Sequence, residues 1–77
     1  GTNKEELKRT MEEQQRILEK LLRTIKEQKE ILRKQEEGRA TKEELKRLTK
    51  LAQEQERMMR ELIDLARKQA YLLKRES

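Results

Sequence analysis

A chain of 77 residues, with 48% charged and 31% hydrophobic side chains and a formal net charge of +5, is too short for more than one folding unit. It has no cysteine, histidine or proline and a single aromatic residue, which excludes disulfides, thiolate or imidazole metal sites and a thick aromatic core. Burial must therefore come from association with a partner or with further copies.

The first predicted element is a helix over about residues 3–37. Thr2 with Glu5, or Asn3 with Glu6, can open this helix as an N-cap and capping box. Apolar residues and glutamines then recur at alternating spacings of four and three, and this mean period of 3.5 is typical of a coiled coil. This 4-3 set comprises Leu7, Met11, Gln14, Leu18, Leu21, Ile25, Gln28, Leu32 and Gln35; a flanking position adds Thr10, Ile17, Thr24 and Ile31, with Leu22 on the other side.

A turn over residues 38–41 and a second helix over about 41–76 follow. Gly38 suits the left-handed residue after a helix end, and Thr41 with Glu44 forms another capping box. So short a connection makes the two helices antiparallel neighbours. The 4-3 set of the second helix comprises Leu45, Leu48, Ala52, Gln55, Met59, Leu62, Ala66, Gln69 and Leu73, flanked by Leu51, Met58, Leu65 and Leu72 on one side and by Thr49, Ile63 and Ala70 on the other.

The apolar face of each helix is wider than contact with one partner helix requires. The first helix uses about three positions per heptad and the second about four, whereas a two-helix contact needs two. We therefore expect an all-α helical hairpin that assembles into a homo-oligomeric, coiled-coil-type bundle. The wider face of the second helix favours an inner position in a trimer of hairpins, with a dimer as the alternative. The predicted oligomer core comprises Leu18, Leu21, Ile25, Leu32, Leu48, Leu51, Met58, Met59, Leu62, Leu65 and Leu72.

Both helices repeat with a period of 14 residues, which brings polar residues to equivalent places. The segment from Thr10 to Leu18 matches residues 24–32, and residues 48–55 match residues 62–69. Antiparallel pairing sets threonines and glutamines of the two helices level with each other. Because amides both donate and accept, such layers can close into buried hydrogen-bond networks. The two predicted layers are Thr10, Gln14 and Gln69, and Thr24, Gln28 and Gln55, whereas Gln35 and Thr49 are expected at the periphery.

Regular heptads, capped ends, a short loop at Gly38–Thr41, duplicated Thr/Gln layers and a lone Tyr71 together resemble a known class of protein. The chain is similar over its whole length to de novo designed helical-hairpin homo-oligomers with modular buried hydrogen-bond networks. The resemblance implies a symmetric structural part, whose networks set specificity and which has no natural ligand.

Other functions receive less support from the residues. A nucleic-acid or membrane-surface module, the alternative reading, would need basic residues on one face, whereas lysine and arginine alternate here with glutamate. No nucleophile, activated acid–base pair or metal-ligand set is visible, so we expect no enzyme, no cofactor and no small-molecule ligand. No targeting signal or apolar run of roughly 20 residues is present, and we expect a soluble protein of unknown localisation, made recombinantly in the cytoplasm.

Overall fold

The computed structural model describes residues 2–76, which form an antiparallel pair of long helices. Helix α1 spans Asn3–Glu36 and helix α2 spans Lys42–Glu76. The hairpin is a rod of 56 × 17 × 15 Å. The predicted all-α hairpin is therefore confirmed, and each helix end lies within one residue of the expected one.

Side-chain caps define where both helices begin. The amide of Glu5 donates to Thr2 Oγ1 over 3.1 Å, which makes Thr2 the N-cap of α1. At α2 the amide of Glu44 donates to Thr41 Oγ1 over 3.1 Å, and the amide of Thr41 donates back to Glu44 Oε1 over 2.9 Å. This reciprocal pair is a complete capping box, which satisfies two amides that would otherwise lack helical partners.

The end of α1 reverses the chain through a glycine in the left-handed region. Gly38 has φ 73°, and a bulkier side chain would be strained at that angle. Its amide donates to the Gln35 carbonyl over 3.0 Å, and the amide of Arg39 donates to the Lys34 carbonyl over 2.7 Å. These two bonds form a Schellman motif, which stops the helix and turns the chain back along it.

Contact between the two helices is centred on the flanking positions rather than on the 4-3 set. Ile17 and Ile31 of α1 are each 4% exposed, and Leu51 and Leu72 of α2 are 0% and 2% exposed. We call the full set the hairpin interface. It comprises Thr10, Ile17, Thr24 and Ile31 of α1 with Leu51, Met58, Leu65 and Leu72 of α2, all buried except the half-buried Leu65.

Two ion pairs join the helices near the turn. Lys34 Nζ lies 2.8 Å from Glu44 Oε2, and Arg47 Nε lies 2.6 Å from Glu27 Oε2. The Lys34 ammonium and the Thr41 amide lower the pKa of Glu44 from 4.5 to about 2. The Arg47 guanidinium likewise lowers the pKa of Glu27. Glu44 therefore holds the start of α2 and links it to the end of α1.

We expect replacement of Glu44 by glutamine to make the free energy of unfolding depend less on pH in the acidic range. Glutamine can still accept from the Thr41 amide, but it has no charge for Lys34. Because the pKa of Glu44 is lower in the folded chain, its contribution is complete above about pH 4.5 and is lost as pH falls toward about 2. Urea unfolding at several pH values should show wild type and E44Q converging across this window.

Substitution of the threonine cap provides the control for this experiment. Thr41→Ala removes the other half of the capping box and should cost about 1 kcal/mol, with little dependence on pH. A constant difference between wild type and E44Q from neutral pH down to pH 2 would contradict the assigned role of the Glu44 carboxylate.

Candidate oligomerisation face and its glutamine layers

The 4-3 set lies along one side of the hairpin. A residue four positions after a hairpin-interface residue points about 40° away from it around the helix axis. A residue one position after it points about 100° away, in the same direction of rotation. Because the helices are antiparallel, these rotations bring both helices' residues to the same side. We call this side the front face.

The front face has a groove floor bordered by two ridges. The floor positions are half-buried except for the exposed Gln35 next to the turn; the half-buried ones are Leu7, Gln14, Leu21, Gln28, Leu48, Gln55, Leu62 and Gln69. The ridge positions are exposed except for the half-buried Ile25, and consist of Met11, Leu18, Ile25, Leu32, Leu45, Ala52, Met59, Ala66 and Leu73.

Large apolar side chains on the ridges are substantially open. Leu18 is 45% exposed and Met59 is 50% exposed, and Leu22 and Ile63 extend the apolar surface outward at 58% and 50%. Isolated exposed leucines are common on proteins, but a continuous stripe of them marks an interaction surface. Leu22 and Ile63 belong to the flanking residues identified from the sequence but lie outside the predicted oligomer core.

The opposite side of the hairpin is charged. Glu27 and Lys34 of α1 there meet Arg47 and Glu44 of α2 in the two interhelical ion pairs, and Glu54 lies 3.6 Å from Arg47. Acidic and basic side chains are interspersed along this back face. The hairpin is therefore apolar on the front and solvated on the back.

The layer nearer the turn brings its three predicted residues together. Gln55 Nε2 donates to Thr24 Oγ1 and to Gln28 Oε1, over 3.2 Å in each case. The Thr24 hydroxyl donates in turn to the Leu21 carbonyl of its own helix over 2.7 Å. A buried threonine, two half-buried amides and a backbone carbonyl thus form one connected chain of hydrogen bonds.

The layer nearer the open end is less completely joined. Gln69 Nε2 donates to Gln14 Oε1 over 3.3 Å. The Thr10 hydroxyl is buried and donates to the Leu7 carbonyl over 2.7 Å. Among the described residues no hydrogen bond joins Gln69 to Thr10, so the structure unites two of the three predicted members of this layer.

The predicted oligomer core divides into three groups by burial in the single hairpin. Leu51, Met58 and Leu72 are already buried between the two helices, and Leu18, Leu32 and Met59 are exposed. The remaining members are half-buried: Leu21, Ile25, Leu48, Leu62 and Leu65.

The expected peripheral residues lie at the surface. Gln35 and Thr49 are both exposed. Tyr71 is 60% exposed and points away from the ridge of α2, with the Arg75 guanidinium 5.6 Å from the centre of its ring.

Neither a metal site nor a membrane span is found in the part of the chain that the structure describes. No cluster of three acidic side chains there is arranged to hold a metal ion. Within residues 2–76, neither helix has an apolar stretch long enough to cross a membrane.

Comparison with known proteins gives no relative for this chain: no family model, no curated protein and no solved structure matches it.

We expect a double-mutant cycle to detect the bond between Thr24 and Gln55. Thr24→Val and Gln55→Leu each remove one side of the bond, and their coupling should be about 0.5–1.5 kcal/mol, the usual net value of one hydrogen bond. Urea unfolding of the four proteins measures it. The matched cycle of Thr10→Val with Gln69→Leu should give a coupling near zero, and equal couplings in the two layers would contradict the difference between them.

Proposed function

We propose that the chain is a structural self-assembly module, whose front face binds further copies of itself to form a symmetric helical bundle. The observation that carries this proposal is the one-sided distribution of exposed apolar side chains. The hairpin interface covers a single heptad position on each helix and leaves the ridges open to water. The back face, in contrast, is lined by charged side chains, among them Glu27, Lys34, Glu44 and Arg47.

The accessible area of the single hairpin supports the same proposal. It amounts to 6228 Å² for a chain of 9.4 kDa. A compact monomer of this mass exposes roughly 5,000 Å². The single hairpin thus exposes about a quarter more surface than a compact monomer, and much of the open front face is leucine, isoleucine and methionine.

A two-hairpin dimer is the assembly that we propose first, and the trimer expected from face width is the second. Large ridge side chains of the two helices are similarly exposed: Leu18 and Leu32 are 45% and 42% exposed, and Leu45 and Met59 are 38% and 50% exposed. A face-to-face pair of hairpins uses both ridges equally, whereas a ring of six helices buries the inner helix more deeply than the outer one. The similar exposure of these side chains therefore favours a four-helix dimer.

The Thr/Gln layers would give this assembly its specificity. Gln55 and Gln28 lie on the floor of the front groove, where a second copy would cover them. A covered amide without partners costs about 1–3 kcal/mol, so docking is favourable where the amides meet complementary groups. Leucine ridges by themselves would tolerate displacement along the groove.

A nucleic-acid or membrane-surface function, the alternative from sequence, gains no support from a particular observation. Arg47, Lys34 and Arg33 are paired with glutamates rather than gathered into a basic surface. Interspersed charges of this kind neutralise few phosphates.

We expect Leu18→Glu combined with Met59→Glu to abolish association. Each carboxylate would be buried without a partner, at a cost on the order of several kcal/mol. Sedimentation at micromolar concentration should give a multiple of 9.4 kDa for wild type and the monomer mass for the variant. Tyr71→Glu is the matched control, because Tyr71 is equally open but off the front face, and its mass should equal that of wild type. A monomeric wild type, or a variant that keeps its mass, would contradict the proposal.

A second prediction concerns the polar layers. Replacing all six layer residues by apolar residues of similar size should leave the helices intact and hold or raise stability, since apolar packing often matches a buried polar set. The copies would then no longer prefer a single register along the groove, and light scattering should detect a mixture of oligomers. A single clean oligomer would show that the layers do not set specificity. The replaced residues are Thr10, Gln14, Thr24, Gln28, Gln55 and Gln69.

A further inference from the structure

The glutamine layer nearer the turn has a hydrogen-bond direction that is imposed by a backbone carbonyl. The Thr24 hydroxyl carries one hydrogen, and it is already donated to the Leu21 carbonyl over 2.7 Å. Thr24 Oγ1 can therefore only accept, so Gln55 must present its NH₂ group to it. The second hydrogen of that NH₂ goes to Gln28, which must present its oxygen.

This direction determines which groups remain for a second copy. In the part of the chain that the structure describes, Gln28 Nε2 and Gln55 Oε1 have no hydrogen-bond partner. One helix thus offers two N–H donors, and the other offers a carbonyl acceptor at the same level. In the layer at the open end the hydrogen bond also runs from α2 to α1, because Gln69 donates to Gln14. The Gln14 NH₂ and the Gln69 oxygen then have no partner among the described residues.

We infer that copies of this hairpin dock with their turns at the same end, so that Gln28 donates to Gln55 of the partner subunit and Gln14 donates to Gln69 of the partner subunit. The inference rests on the proposed self-association and adds its orientation. A symmetry axis parallel to the helices places each α1 opposite the partner's α2. Each donor then meets an acceptor, and a dimer closes both layers with two such bonds in each.

Docking with the turns at opposite ends would fit the apolar ridges but not the amides. A two-fold axis across the helices places α1 opposite the partner's α1. The layers lie almost equally far from the middle of the hairpin, so Gln28 would then face the partner's Gln14. With the amides oriented as they are in the hairpin, the NH₂ groups of Gln28 and Gln14 would oppose each other without an acceptor, and the second N–H of Gln69 could form one bond at most. Covered donors without acceptors cost about 1–3 kcal/mol each.

The same-end orientation also holds for a trimer. Three copies around an axis parallel to the helices all point the same way, and the Gln28 donors of each copy meet the Gln55 acceptor of the next. Orientation can therefore be measured in the same way whether the assembly holds two copies or three.

Distances between spin labels on single cysteines test this orientation, because the native chain has no cysteine. Glu43 is exposed in the first turn of α2, beside the loop. Same-end docking places two labels at Glu43→Cys about 25 Å apart, the width of a bundle two helices across. Opposite-end docking separates them by about 50 Å, the length of a 34-residue helix.

A label in the middle of α1 distinguishes failure of the orientation from failure of self-association. Glu19 is exposed there, and labels at Glu19→Cys should lie about 25 Å apart in either orientation. Short distances at both positions support the inference. A short distance at Glu19 with about 50 Å at Glu43 overturns the orientation and leaves self-association intact. No dipolar coupling at Glu19, with a monomer mass, overturns both.

Discussion

A strict seven-residue recurrence across the hairpin interface is the constraint on which the remaining surfaces depend. Thr10, Ile17, Thr24 and Ile31 follow one heptad position of α1, and all four are β-branched and buried. Once this position faces α2, every other residue of α1 has a determined direction. The 4-3 set must then lie to one side of the contact, and the glutamates and lysines of the back face to the other. The separation into an apolar front face and a charged back face is thus a consequence of which heptad position forms the contact between the two helices.

The turn determines whether the apolar sides of the two helices face the same side of the hairpin. A Schellman motif at Gly38 and a capping box at Thr41 leave few residues between the helices, so α2 returns alongside α1 rather than crossing it. The ion pair between Lys34 and Glu44 joins the two ends directly across this turn. Rotation of α2 by one heptad position would separate Gln55 from Thr24 and divide the front face between two sides of the rod.

Much of this architecture could be predicted from the sequence because the signals are local. Caps at Thr2 and Thr41, the glycine stop and the 3.5-residue period identify both helices to within a residue, and antiparallel pairing predicts that Thr24 is level with Gln55. The position used for the internal contact was harder to identify. The 4-3 set and the flanking set are similarly apolar, so hydropathy did not separate them, although the β-branched repeat in α1 distinguishes the flanking set. The absence of a bond between Gln69 and Thr10 depends on side-chain geometry, which the recurrence of threonine and glutamine every 14 residues does not predict.

The place of the amides within the front face allows polar groups to be compatible with the proposed self-association. A glutamine on an exposed ridge would remain hydrated on association. A glutamine at the hairpin interface would have its N–H groups and its oxygen bonded within the hairpin. Gln55 lies between these extremes: its NH₂ group is engaged within the hairpin while its oxygen remains available. In the proposed assembly, these internal bonds would orient the amide before a second copy docks, which would reduce the entropy lost on docking. A preoriented donor or acceptor also penalises a wrong orientation more than a mobile one would, because it cannot turn away without breaking the bonds that hold it. The carbonyl of Leu21, at the far end of this chain of bonds, would thereby limit which arrangements of copies are favourable in the proposed assembly.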